Sequence, residues 1–105
     1  MDSKLLESEA VARICRAHGI RRLSLFGSRL KGTARPDSDV DLLVDFEPSR
    51  TPGLIGVSTI EIELGHVIGH KVDLRTAFDL SPYFRDEVVR NARDAYVDEA
   101  VLAER

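Results

Sequence analysis

The sequence predicts an α/β domain in which helices pack against a small sheet. Two observations carry that expectation. Segments whose apolar residues alternate are interleaved with segments whose apolar residues recur three or four apart. Between them lie clusters of Gly, Pro, Asp and Ser, the residues of turns. With 105 residues and no visible linker or repeat, the expectation is one domain, 1–105, around one core.

Each element has its own signal. Residues 4–18 predict a helix, with Leu6, Ala10 and Ile14 four apart and Val11, Cys15 and His18 widening that face. Gly19 stops it. Leu23–Phe26 is a short strand, broken at once by Gly27-Ser28, and residues 32–38 are loop. The strongest strand is 39–46, with Val40, Leu42 and Val44 on one side and Asp39, Asp41 and Leu43 on the other. After a loop at 48–53, residues 54–68 fit a helix through Val57, Ile60, Leu64 and Val67. Ile60, Ile62 and Leu64 also alternate, and length favours helix. Residues 70–75 form a short strand. Ser81-Pro82 predicts the cap and first position of a last helix, with Phe84, Val88 and Ala92 as its face. Tyr96-Val97 fits a terminal strand or the end of that helix, and the tail from Asp98 is polar apart from Val101 and Leu102.

Composition excludes several classes. Hydrophobic residues make up 43% and charged residues 31%, as in a folded domain rather than a disordered one. A net charge of −3 argues against holding long nucleic acid by charge. One cysteine permits no internal disulfide. The first residues lack the apolar centre of a secretory signal, and no apolar run approaches the roughly 20 residues of a membrane span. The expectation is a cytoplasmic protein without a membrane segment.

Three carboxylates stand out. Asp39 and Asp41, two apart on a strand, leave the same face about 6–7 Å apart along the chain. Asp73 lies between Val72 and Leu74, whose inward side chains put it on the opposite face of its strand. If the strands are neighbours, the three acids meet. Such a cluster repels itself and calls for a cation. Magnesium takes oxygen ligands and keeps substrate phosphates in its shell, and two ions roughly 3.5–4 Å apart would activate one oxygen and stabilise a leaving one. Gly27 lets the backbone approach a ligand, and Ser28 offers a hydroxyl and an N–H to phosphate, with Arg29 and Lys31 as nearby cations. The dipeptide alone is a weak signal. Its meaning comes from the spacing: Ser28, ten residues, then Asp39-x-Asp41.

The stretch Leu25-Phe-Gly-Ser-Arg-Leu-Lys-Gly-Thr-Ala-Arg-Pro-Asp-Ser-Asp-Val-Asp-Leu-Leu-Val44 resembles the signature of the polymerase-beta-type nucleotidyltransferase superfamily. More closely it is similar to the minimal nucleotidyltransferase (MNT) family, and the likeness runs from Ile20 to about Tyr96. The resemblance implies that superfamily's fold, a small mixed sheet with helices packed against it. It implies that Gly27 and Ser28, with Arg29 beside them, bind a nucleoside triphosphate, and that Asp39 and Asp41 hold two magnesium ions, manganese being possible. Asp73 would ligate the catalytic metal and help deprotonate an acceptor hydroxyl. The implied reaction moves a nucleoside monophosphate, AMP from ATP, to a hydroxyl and releases pyrophosphate. The implied partner is a HEPN-domain toxin, adenylylated on a tyrosine, with the MNT chain as antitoxin.

Two other functions compete. One is an antitoxin that neutralises by binding alone; the intact set of Gly27, Ser28, Asp39, Asp41 and Asp73 argues for catalysis instead. The other is transfer to RNA ends or a small molecule, against which stand the net charge of −3 and the lack of a second domain to shape an acceptor pocket. The remaining polar residues have plainer explanations. Asp45, Lys31 and Arg35 read as solvated charges. Cys15 and His18 read as core or boundary residues, and Tyr83 and Tyr96 as packing residues. His66 and His70 are four apart like a metal pair, but Gly69 ends the helix between them.

Overall fold

A computed structural model describes residues 3–103 of the chain. The first helical segment is two helices, α1 (Ser3–Leu6) and α2 (Glu9–Ala17). The break has a local cause: Ser8 caps α2, its hydroxyl accepting from the Val11 N–H at 3.3 Å. The buried line accordingly runs through Leu6, Val11 and Cys15, with Ile14 beside it, and Ala10 is exposed rather than inward.

Strand β1 (Ile20–Phe26) starts three residues before the expected Leu23. Arg21 and Arg22 hide its alternation in the sequence; in the fold Ile20 is buried and Arg22 lies opposite Asp45 and 3.5 Å from Asp94. A single helical turn, α3 (Ser28–Lys31), follows Gly27. Strand β2 (Val40–Phe46) and helix α4 (Leu54–Ile68) are separated by a 3-10 turn at Pro48–Arg50. In α4 the buried residues are Ile60, Leu64 and Ile68, while Ile62 is exposed, so the helical spacing prevails over the alternating one.

After β3 (Val72–Arg75) comes a 3-10 turn at Ala77–Asp79. The last predicted helix is shifted: α5 spans Arg85–Asn91, and Ser81 and Pro82 are not its cap and first residue. The Ser81 carbonyl accepts from the Phe84 and Arg85 N–H groups, both at 3.0 Å, and the Arg85 side chain donates back to the carbonyls of Ala77 (2.8 Å) and Leu80 (3.1 Å). That bonding winds residues 77–84 into a turn before the helix starts. Phe84 is exposed, and Val88 and Ala92 form the half-buried side. Tyr96 and Val97 belong to a strand, β4 (Arg93–Val97), and the tail forms α6 (Glu99–Ala103).

The sheet order is β3-β2-β1-β4. β1 runs antiparallel to β2 and β4, and β2 runs parallel to β3, so the sheet is mixed. The parallel pair is joined through α4, the crossover such a pair requires. Helices α2 and α4 cover one face, where Leu23, Leu25, Val40, Leu42 and Val44 join Val11, Cys15, Ile60 and Leu64 in the core. By strand alternation the other face carries Ser24, Asp41, Leu43 and Asp73. Among the described residues no helix is long and apolar enough to cross a membrane.

Candidate active site

The site forms where β1 ends beside the start of β2. Phe26 lies opposite Asp41 in the antiparallel ladder, which places Gly27 against the Asp41 side chain. Gly27 has φ +77° and ψ −154°, a conformation open essentially to glycine alone. A Cβ at this position would lie 2.3 Å from Asp41 Oδ2. The glycine therefore serves two ends: it allows the turn into α3 and leaves room for the carboxylate.

β3 completes the acidic cluster. Asp41 and Asp73 are register partners on parallel strands, spaced by the usual 4.8 Å or so between strands, and both project from the same face. Asp39 sits one residue before β2 and is half-buried. The Asp41 carboxyl is pushed above its usual range, first by burial and then by the charges of Asp73 and Asp39; Arg75 opposes this. Arg75 Nε is 3.1 Å from Asp73 Oδ2 and supplies the cluster's counter-charge. Arg75 was not anticipated, although its position two residues after Asp73 on one strand puts it on the same face.

The donors suit a hard divalent cation: they are carboxylate oxygens only, crowded enough to raise the pKa of the central acid. As they stand, no three acidic, histidine or cysteine side chains among the described residues converge closely enough to enclose an ion, and Asp73 is turned onto Arg75.

Ser28 opens α3, and its carbonyl accepts from the Thr33 N–H at 3.0 Å, closing the turn. Arg29 does not reach into open solvent. Its Nη2 donates to the carbonyl of Ser38 at 2.6 Å and to that of Pro36 at 3.4 Å, and lies 3.2 Å from His70 Nδ1. A cleft of about 530 Å³ opens further along the same sheet face, toward the end of β2, lined among others by Ser24, Leu43, Asp45, Phe46, Thr76 and Phe78; Gly27, Ser28, Asp39, Asp41 and Asp73 are not among its lining residues. Its volume is that of a small-molecule site. Ser24, buried in this wall, donates to Asp94 Oδ1 at 2.8 Å.

The plainer expectations fall as follows. Asp45, Lys31 and Arg35 are exposed. Cys15 is buried, and burial pushes its thiol up to about 12. His18 lies 2.6 Å from Glu63, joining α2 to α4. His66 sits in the last turn of α4 and His70 beyond its Gly69 cap, where His70 meets Arg29 instead of His66. Tyr96 packs against the core, but Tyr83 is 92% exposed and is not a packing residue, because the turn at 77–84 carries it outward.

A glycine-serine turn beside paired carboxylates on a mixed sheet is the layout of a nucleotidyltransferase. The profile of the nucleotidyltransferase domain family matches residues 8–95, and the chain belongs to that family. It is 38% identical over 78 residues to protein adenylyltransferase MntA of Thermococcus cleftensis, covering 67% of this chain and 77% of that protein. A solved structure assigned as a minimal nucleotidyltransferase shares 40% identity and superposes with a TM-score of 0.70, over 88% of this chain and 94% of that one. A chain from the complex of tri-AMPylated Shewanella oneidensis HEPN toxin with MNT antitoxin superposes with a TM-score of 0.64. It is 19% identical, covers 94% of this chain and 76% of that one, and shows likeness of fold. The chain is thus an enzyme of the nucleotidyltransferase class.

Proposed function

We propose that the chain transfers AMP from ATP to a tyrosine hydroxyl of a HEPN-type toxin and so acts as its antitoxin. The observation that carries the chemistry is the register pairing of Asp41 with Asp73 beside Gly27. The acceptor class rests on likeness to an adenylyltransferase at 38% identity and, for the toxin, on a shared fold.

In this reaction a bond forms between the acceptor oxygen and the α-phosphorus. The bond from that phosphorus to the bridging oxygen breaks, and pyrophosphate leaves with the electron pair. Gly27 and Ser28 present backbone N–H groups and a hydroxyl to the triphosphate. Asp39, Asp41 and Asp73 would hold two magnesium ions, manganese being the alternative. Bound there, the ions would supply positive charge against the triphosphate and make the attacking hydroxyl easier to deprotonate. Asp73, on the strand next to Asp41, takes the acceptor proton once it turns away from Arg75.

Incubation with ATP, magnesium and a HEPN toxin tests this. The toxin should gain about 329 Da per transferred AMP. Calorimetry should show clear ATP binding with magnesium and weak or no binding in chelator. Unmodified toxin beside a chain that still protects against it would replace catalysis with neutralisation by binding.

A further inference from the structure

We infer that Arg29 is a positioning residue that ties together the three segments delivering the site, rather than a ligand of the triphosphate; this rests on the adenylyl-transfer reading above. Arg29 projects from α3, directly after the Gly27-Ser28 turn. Its Nη2 meets Ser38 O at 2.6 Å, His70 Nδ1 at 3.2 Å and Pro36 O at 3.4 Å. Pro36 and Ser38 lie in the loop that leads to Asp39. His70 lies just before β3, which carries Asp73. The same two segments are joined by the backbone, the Val40 N–H donating to Lys71 O at 2.8 Å. One guanidinium nitrogen thus links the phosphate-side turn to the starts of both carboxylate strands.

The chemistry of the pair specifies the histidine's state. A guanidinium has only N–H donors, so His70 Nδ1 is the acceptor and its proton sits on Nε2. Burial, and then the Arg29 cation, hold His70 below its usual value, in keeping with a neutral ring. Arg29 Nε is buried without a partner, so the base of the head group is sunk into the junction. Nη1 makes no hydrogen bond among the described residues, and through it a rival role in phosphate contact is open to test.

The two roles differ in what they perturb. A phosphate ligand sets affinity for ATP and leaves the free protein unchanged. A positioning residue sets the order of the loop in the free protein and the rate of transfer. The variants are Arg29→Ala, Arg29→Lys, His70→Ala and His70→Asn. The lysine keeps the charge but loses the fork, and the asparagine Oδ1 stands in for Nδ1 as acceptor. The readouts are amide hydrogen exchange in the nucleotide-free chain, single-turnover AMP transfer and the KM for ATP.

Arg29→Lys and Arg29→Ala should each speed exchange at the Ser38 and Val40 amides, now bonded to Arg35 O and Lys71 O. They should slow transfer about 10–100-fold, the penalty for a misplacement of about 1 Å. The KM for ATP should stay within about twofold of wild type. His70→Ala should move both readouts the same way, and His70→Asn should regain most of the loss. A raised KM with unchanged exchange at Ser38 and Val40 would overturn the inference in favour of phosphate binding. So would unchanged exchange and rate in all four variants. If the wild-type chain transfers no AMP, the adenylyl-transfer reading fails, and exchange alone then decides whether Arg29 orders the loop. If Arg29→Ala does not fold, Arg29→Lys and the two His70 variants still decide it.

Discussion

Gly27→Ala puts the geometry of the site under direct test. The new Cβ would meet Asp41 Oδ2 at 2.3 Å, and contact becomes ordinary only near 3.4 Å. The carboxylate would therefore have to withdraw by about 1 Å, a displacement that can cost about 100-fold in rate when it falls on a catalytic group. The backbone adds a second penalty. Holding alanine at φ +77°, ψ −154° costs on the order of 1–3 kcal/mol. For a domain of this size each kcal/mol lowers Tm by about 4–8 °C. Gly32→Ala separates the two effects. Gly32 also has a positive φ, +76°, but nothing lies within 4 Å of its would-be Cβ. Its variant should lose about 1–2 kcal/mol from the left-handed conformation alone and keep its rate. Denaturant melts and single-turnover AMP transfer on both variants check this. If Gly27→Ala transfers AMP within about twofold of Gly32→Ala, the carboxylate is not held where the reaction needs it and the assignment of the site fails.

The double variant Asp39→Asn, Asp41→Asn removes two charges from a cluster whose central carboxyl is already pushed up by burial and by its neighbours. Its Tm should equal or exceed that of wild type, while AMP transfer and protection against the toxin are lost; protection at the wild-type level would show that binding suffices. Cys15, its thiol pushed up to about 12 by burial, should resist a thiol reagent at about pH 8 and react fully once denaturant is added. His70 is held below its ordinary value of 6.5, so the unfolded chain takes up its proton more readily than the folded one. Its contribution to stability is complete above about pH 6.5 and is lost as the pH falls through the depressed folded value. Melting curves from about pH 7 to about pH 5 should drop more steeply for wild type than for His70→Asn, and parallel curves would refute the neutral assignment.

Likeness of sequence to site was greatest where the relevant geometry is local. Asp41 faces away from the core because strand side chains alternate, whatever the strand packs against, and Asp39, one residue before β2, is near enough for its charge to push the Asp41 carboxyl up. Gly27-Ser28 marks a turn because an alternating run stops there and a glycine begins it. The segment 54–68 reads as helix through Val57, Ile60, Leu64 and Val67 and by its length; Ile60 and Leu64 are buried in α4 together with Ile68, and Val57 and Val67 pack beside the core. The expectations that failed turned on local polar bonds to the backbone, which the spacing of apolar residues does not record. Ser81-Pro82 has the composition of a helix start, but Arg85 bonds back to Ala77 and Leu80 and delays the helix to its own position. The first helix looked continuous because its apolar spacing runs through Ser8, whose hydroxyl instead caps a new helix.

The sequence by itself determined the inventory of the site: a glycine-serine turn, an Asp-x-Asp strand ten residues on, and a third acid between two inward apolar residues. Periodicity and turn chemistry act over a few residues, so they are legible in one dimension. The tertiary structure decided which of these groups meet. Parallel pairing of β2 with β3, in the register that sets Asp73 beside Asp41, depends on α4 folding over the core and returning the chain alongside β2. The same pairing brings His70 to Arg29 across 41 residues of sequence and so turns an apparent phosphate cation toward the protein's own backbone. Contacts at that separation are set by the sheet's register and the helix crossover, and no local pattern of residues encodes them.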